Sequence, residues 1–474
     1  MPLHELDADV LFLIMSSFDV YTVLSLSQVN KDLRQIALAK PLWISLLRDL
    51  VRRGLLDLPP PDMLLRYTTA DLIEEVKRTV VGPRTWARDA PTPPGTPHRE
   101  YIWRLDEPKS MEAAIKVLAG GRYVVLHDES SLDIWETVSA RRIWACRQPI
   151  KSWAIDLIER GAAAHLLLFG PAPTWLAEVI RIDFASGESR TICRLDFPTT
   201  NVTNGAFERP TILGDFFVAS YTHLYQWEET ALLVNWRAET YVLLRSAAAP
   251  ALLPGYIALS FNTHGRQSQY LAVYSMDSIS LLPRIGQFTV DADSQTLTLD
   301  LSAVVAHQIL TFDASNPPHN LALSVLESPL RHGRYKFMLY ISHRSDINID
   351  IGKDDPTRTS FPQIDGPFLP GYVSDLFCYE LSLTPAEPQW RDLSVTPARP
   401  YLPHPHISYS GHCIIQRPMS IVVVEVCSAH EVAEWQQTWE IVPDERTCAA
   451  LDLAAHGSVV AALGYNSVTV THFL

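Results

Sequence analysis

The sequence predicts a multidomain chain: a small all-α region, a helical stalk, then a large all-β domain read as a seven-bladed β-propeller, with six or eight blades also compatible. Three observations carry this. Residues 1–47 are dense in Leu, Ile and Val at helical spacing and contain no glycine. The proline-rich run Pro91-Thr92-Pro93-Pro94-Gly95-Thr96-Pro97 breaks the chain before residue 101. Beyond it, short segments alternate apolar and polar residues between turn signals, at steps of roughly 40–50 residues, the size of one four-stranded blade. The expected domains are therefore 1–47, 48–100 and 101–474.

In the first region Leu6, Val10, Leu11, Ile14 and Phe18 mark one apolar helical stripe, with Asp7 and Asp9 at its start where negative charge suits the helix dipole. Asp19 reads as the N-cap of a second helix carrying Val23, Leu24, Leu26 and Val29. Asn30 breaks it, and a third short helix carries Leu33 and Ile36 before Pro41-Leu42-Trp43. So short a bundle encloses little core, which predicts that a partner covers part of it.

The run L-x-x-D-V-L-x-x-I-M-x-x-F from Leu6, then V-L-S-L-S-Q-V-N-K-D-L-R-x-I-A, then P-L-W, resembles an F-box. The match covers about a tenth of the chain and runs without a gap from Leu6 to Trp43. Two positions depart from the family pattern: Asp7 replaces a proline, and Leu33 stands where many members have tryptophan. Together with the stalk and β domain, the chain resembles the F-box proteins of basidiomycete fungi. The resemblance implies docking on a Skp-type adaptor and, through it, a cullin. It makes the protein a non-catalytic substrate receptor of a Skp–cullin–F-box ubiquitin ligase whose β domain selects a protein target. The adaptor face would be Leu6, Val10, Leu11, Ile14, Leu24, Leu26 and Val29, closed by Leu33, Ile36, Leu42 and Trp43. Trp43 is the expected hot spot, since truncating a buried interface indole typically costs ~2–4 kcal/mol. A scaffold without a degradation role and a ligand-sensing propeller stay open as alternatives.

The stalk is read as a basic helix from Leu46 to Leu56, the break Pro59-Pro60-Pro61, and a second amphipathic helix with Leu72, Ile73, Val76 and Val80 behind a Thr68–Asp71 capping box. In the third region Leu132-Asp133-Ile134-Trp135, Val179-Ile180-Arg181-Ile182, Leu271-Ala272-Val273-Tyr274, Phe288-Thr289-Val290 and Ser467-Val468-Thr469-Val470 read as strands. Leu132, Trp135, Glu136 and Trp144 recur 92 residues later as Leu224, Trp227, Glu228 and Trp236, an apparent double repeat. A pair of β-sandwiches is the rival architecture, and periodic repetition favours the closed ring.

The chemistry searched for is sparse. No serine elbow, H-E-x-x-H helix or phosphate loop occurs. Asp346-Ile-Asn348-Ile-Asp350-Ile-Gly352-Lys-Asp354 has alternating oxygen ligands, but its glycine is one place late for a calcium loop and Thr357 stands where a glutamate belongs. His404, His406, His412 and Cys413 could reach one zinc ion, and suit a blade entry loop as well. No catalytic, cofactor or metal residues are therefore assigned. The six cysteines are dispersed, as expected in a reducing compartment. A net charge of −14, from 39 basic and 53 acidic residues, disfavours nucleic acid and anionic membranes as partners. The expected location is cytoplasmic, nuclear or both.

Overall fold

The computed structural model describes residues 6–56, 61–86, 97–110, 112–171, 176–196, 205–223, 226–245, 247–262, 268–279, 296–297, 305–311, 320–344, 372–383, 388–398, 407–417, 420–425, 436–441, 448–456 and 458–473. The readings at Phe288–Val290, Asp346–Asp354, His404 and His406 lie outside these residues.

A small helical region precedes a large all-β one. The helices are α1 (Ala8–Ser16), α2 (Val20–Leu26), α3 (Lys31–Ala37), α4 (Lys40–Arg52), α5 (Pro61–Arg66) and α6 (Thr69–Val81). Local chemistry starts most of them. Asp7 accepts from the Ala8 N–H, Asp19 from Thr22 and Asn30 from Leu33, each satisfying a donor that the helix leaves unpaired. Thr68 and Asp71 exchange bonds as a full capping box on α6. Helix α4 begins at Lys40, ahead of the expected Leu46, because Pro41 sits in the first turn, where its missing N–H costs nothing. The boundary expected at 47 thus falls inside a helix, and one apolar core joins Leu11, Trp43 and Leu47 to Leu72 and Val76.

The β region forms seven antiparallel sheets among the described residues. We number them in chain order: sheet I (114–146), II (152–196), III (205–245), IV (247–311), V (320–398), VI (412–441) and VII (448–473). Sheets I, II, IV and V have four strands in chain order, and sheet VI has three among the described residues. Sheet III gains a short parallel fifth strand, Thr296–Leu297, paired with Thr240–Arg245. First strands of successive sheets pack together: Ser152–Ile158 on Gly205–Leu213, that on Ala247–Leu253, and that on Asn320–Glu327. His412–Arg417 packs on Cys448–Leu453, which packs in turn on Ala114–Val117 of sheet I. This is a propeller-like arrangement. Sheet VII takes its fourth strand from the other end of the region: Pro97–Arg104 pairs antiparallel with Ser467–Phe473, Tyr101 opposite Val470.

Alternation along each strand divides the core between sheets. In sheet I, Val124, Leu126 and Trp135 face sheet VII, while Tyr123, Val125, Leu132 and Ile134 face sheet II. A strand buried on both faces reads as a nearly continuous apolar run, which is why V-V-L and S-L-D-I-W are so dense. The apparent repeat of Leu132–Trp144 at Leu224–Trp236 does not mark equivalent places. Trp135 and Trp144 lie on the third and fourth strands of sheet I, whereas Trp227 opens the third strand of sheet III and Trp236 follows its end. Leu224 lies outside the described residues. Trp135 and Trp227 share a third strand but stand at opposite ends of it, and Trp144 and Trp236 do not share a strand at all.

One buried ion pair locks the turn from the closing strand into sheet I. The Lys109 ammonium donates to Ser131 Oγ and Asp133 Oδ2, both at 2.9 Å, with both charged side chains almost fully buried. Its backbone N–H donates to the Tyr465 carbonyl at 2.8 Å, so residues 105–110 are tied at once to sheets I and VII.

Candidate functional site

The helical region is the candidate interaction site, and its position on the β region comes first. Two contacts hold it. The hairpin turn between Asn320–Glu327 and Arg334–Arg344 of sheet V lies against α2 and α4. There Leu330 packs into the helical core and its carbonyl accepts the Tyr21 N–H at 2.9 Å, while the Arg331 guanidinium lies 3.4 Å over the Tyr21 ring. Arg53 reaches Glu327 at 2.8 Å and donates to the Ser328 carbonyl, and His332 Nε2 lies 3.0 Å from Asp49.

The second contact is Trp86, in the short turn after α6. Its indole is buried with Leu453, Val460 and Phe473 of sheet VII, with the His412 ring edge-on at 4.9 Å. Gly82 ends α6 with φ +82°, and a side chain there would meet His412 Cε1 at 2.9 Å. Glycine thus serves both the turn and the close approach.

The residues expected to form one adaptor face divide into three groups. Leu11, Leu33, Leu42 and Trp43 lie in the protein's own core. The Trp43 indole is 1% exposed and its Nε1 donates to the Ala37 carbonyl at 2.8 Å. Leu6, Leu24, Leu26 and Ile36 are half-buried against that core, and Ile14 is half-buried. Val10 and Val29 are exposed, at 42% and 67%. Helices α4 and α6 and the inserted Leu330 share one core with the inner group, and this cover is what three short helices alone cannot supply.

Three exposed apolar residues of the first three helices escaped the sequence reading: Leu13 (67%), Leu38 (42%) and Tyr21, which lies under Arg331. Leu13 could have been found, since it extends Leu6 and Val10 at i+7 and i+3 along α1. Leu38 caps α3 and belongs to no stripe. The available apolar surface therefore runs along Val10 and Leu13 on α1, with the half-buried Leu6 just before that helix and Val29 and Leu38 at the two ends of α3, which packs on α1.

Other candidate chemistry is thin. Among the described residues no group of three metal-ligating side chains exists, and no helix is long and apolar enough to cross a membrane. His412 serves packing: its Nδ1 lies 2.8 Å from Ser410 Oγ, and burial, reinforced by the Lys336 charge, pushes its pKa down to about 4. Among the described residues Cys146, Cys193, Cys378 and Cys413 form no disulfide, and the last two are buried. Burial pushes the Cys193 thiol up to about 11, which makes it a poor nucleophile.

His412, His456 and His472 give the protein a definite acid response. Burial holds each near a pKa of about 4, against about 6.5 in an unfolded chain. The His456 Nε2–H donates to the Glu327 carbonyl at 2.7 Å, at the root of the hairpin under the helices. A histidine whose pKa is depressed on folding stabilises fully above its unfolded pKa and loses that contribution as pH falls to the folded one. Thermal unfolding is expected to shift downward between pH 6.5 and 4, with a shallower slope in His456→Gln. An identical slope in that variant would show that the buried ring does not contribute.

No family model matches the chain, and no curated protein matches it. Solved structures resemble it over most of its length. A chain of hydrazine synthase from Kuenenia stuttgartiensis aligns at TM-score 0.43 and 12% identity, covering 79% of this chain and 97% of its own. The N-terminal domain of Nup159 aligns at 0.36 and 11%, covering 80% and 96%. A chain of the mitotic checkpoint complex aligns at 0.41 and 9%, covering 80% and 91%. Similarity this low decides no function, and the reading of this chain rests on its own residues.

Proposed function

We propose that this protein is a substrate receptor of a Skp–cullin–F-box ubiquitin ligase: the helical region docks on a Skp-type adaptor and the β region, a closed seven-bladed propeller, captures a protein target. The observation that carries this is the exposed pair Val10 and Leu13 on α1, beside the half-buried Leu6, on a helical region with F-box order and spacing. An isolated exposed leucine means little, but a stripe at helical spacing is a partner's footprint. The seven-blade reading is supported by seven sheets in chain order and by the strand exchange that seals the last one.

The two anchoring contacts fit this role. Target and adaptor sites tethered at a fixed angle raise the effective concentration of one partner at the other, and no bond chemistry is asked of the chain. The test is co-expression with a Skp-type adaptor. Wild type is expected to co-purify with it, and Leu13→Asp is expected to lose it while keeping its unfolding midpoint, because Leu13 packs on nothing that holds the fold. Retention of the adaptor by Leu13→Asp, or its absence from folded wild type, would overturn the assignment.

A further inference from the structure

A second site lies where the first strands of sheets I and II face one another, and it is independent of the ligase reading. Lys116 stands on Ala114–Val117, opposite Val125, on the face turned to sheet II. It is solvent-exposed, and its ammonium lies 5.6 Å from the centre of the Trp153 ring on the first strand of sheet II. Among the described residues it makes no hydrogen bond and no ion pair. The nearest opposing charge is Asp452, a buried carboxylate that accepts the Val117 N–H at 2.6 Å. Desolvation nevertheless lowers the Lys116 pKa, against the pull of Asp452. The Trp153 ring on the facing strand gives the exposed ammonium an apolar wall on one side.

The walls beside it are apolar and incompletely covered. Trp153, Ile155 and Leu157 recur at every second residue, so all three point to sheet I, and all three are only half-buried. His127 lies beside Trp153, ring centres 6.3 Å apart, and its Nε2–H donates to the Ile150 carbonyl at 3.1 Å. Burial lowers its pKa, so the ring adds no second cation.

We propose that Lys116 and Trp153 bind a small monocarboxylate with an apolar body, its carboxylate on the ammonium and its body along Trp153, Ile155 and Leu157. One cation matches one negative charge. A cation–π contact does not neutralise an ammonium, so a carboxylate completes what the indole begins. The net charge of −14 opposes multiply charged anions more than it opposes a monoanion.

The test is calorimetric titration of the full chain with sodium octanoate and, separately, with 1-octanol, in wild type and Lys116→Met. Octanoate is expected to bind wild type with a low-millimolar or tighter Kd. Lys116→Met should weaken octanoate at least tenfold and leave octanol unchanged, which shows that the variant's walls are intact. Octanoate affinity should also fall as pH rises through the lowered Lys116 pKa, and bound octanoate should slow acetylation of Lys116 read by peptide mass. Equal octanoate affinity in the two proteins, no octanoate binding by wild type, or acetylation unaffected by octanoate would overturn the proposal.

Discussion

Replacing Lys109 by methionine is expected to lower the stability of the β region by about 3–5 kcal/mol, because it strands the Asp133 carboxylate in an almost fully buried site. Arg142 and Arg147 approach the other Asp133 oxygen only at 4.0 Å and are themselves partly exposed, so they do not replace the lost ammonium. The loss should appear as a lower urea midpoint, with sheets I and VII parting first in hydrogen exchange. Restoring balance tests the cause. In Lys109→Met/Asp133→Leu no charge is left unpaired, and most of the stability is expected back, since an apolar pair of similar size often matches a buried ion pair. A double variant as weak as the single one would move the explanation from the stranded carboxylate to the lost Lys109 bond with Ser131 and its packing.

Trp43→Ala is the second large effect, again on stability. Truncating a fully buried indole costs about 3–5 kcal/mol, and here it also removes the donor to the Ala37 carbonyl. The helical region should become sensitive to proteolysis around α4 while the β region keeps its melting transition. Any loss of a partner in this variant is then a consequence of unfolding. Leu13→Asp is the opposite case, a surface change whose stability effect should stay within about 0.5 kcal/mol. Equal proteolysis of Trp43→Ala and wild type would show that the indole contributes less than its burial implies.

What the sequence revealed follows the range of the forces involved. Asp19, Asn30 and the Thr68–Asp71 box act within three residues of themselves, and each helix start they imply is where the structure has it. Strands such as Ser131–Glu136 and Ser268–Ser275 were legible because alternation and turn residues are local too. Contacts between distant parts were not. Nothing near Leu330 says that it enters a core built by residues 11–76, and nothing near Trp43 says that α4 and α6 leave it no exposed face. Nothing in the sequence around Lys109 or Asp133 says that they meet as a buried pair. The spacing of first strands also hid the period: those of sheets I to VII begin at 114, 152, 205, 247, 320, 412 and 448, steps too uneven to read from residue types.

The strand exchange in sheet VII also sets an order of events during synthesis. Pro97–Arg104 leaves the ribosome long before its partner Ser467–Phe473 has been made. Until then the early strand carries a bare hydrogen-bonding edge and the exposed Ile102, and sheet after sheet must form without a sealed ring. Pairing across so long a separation is also the slowest to find. A chain cut short before residue 467 would keep six sheets and present two unpaired edges, the state that chaperones hold and proteases remove. Sealing thus reports that synthesis has passed Ser467–Phe473, and only a chain that carries both strands escapes that surveillance.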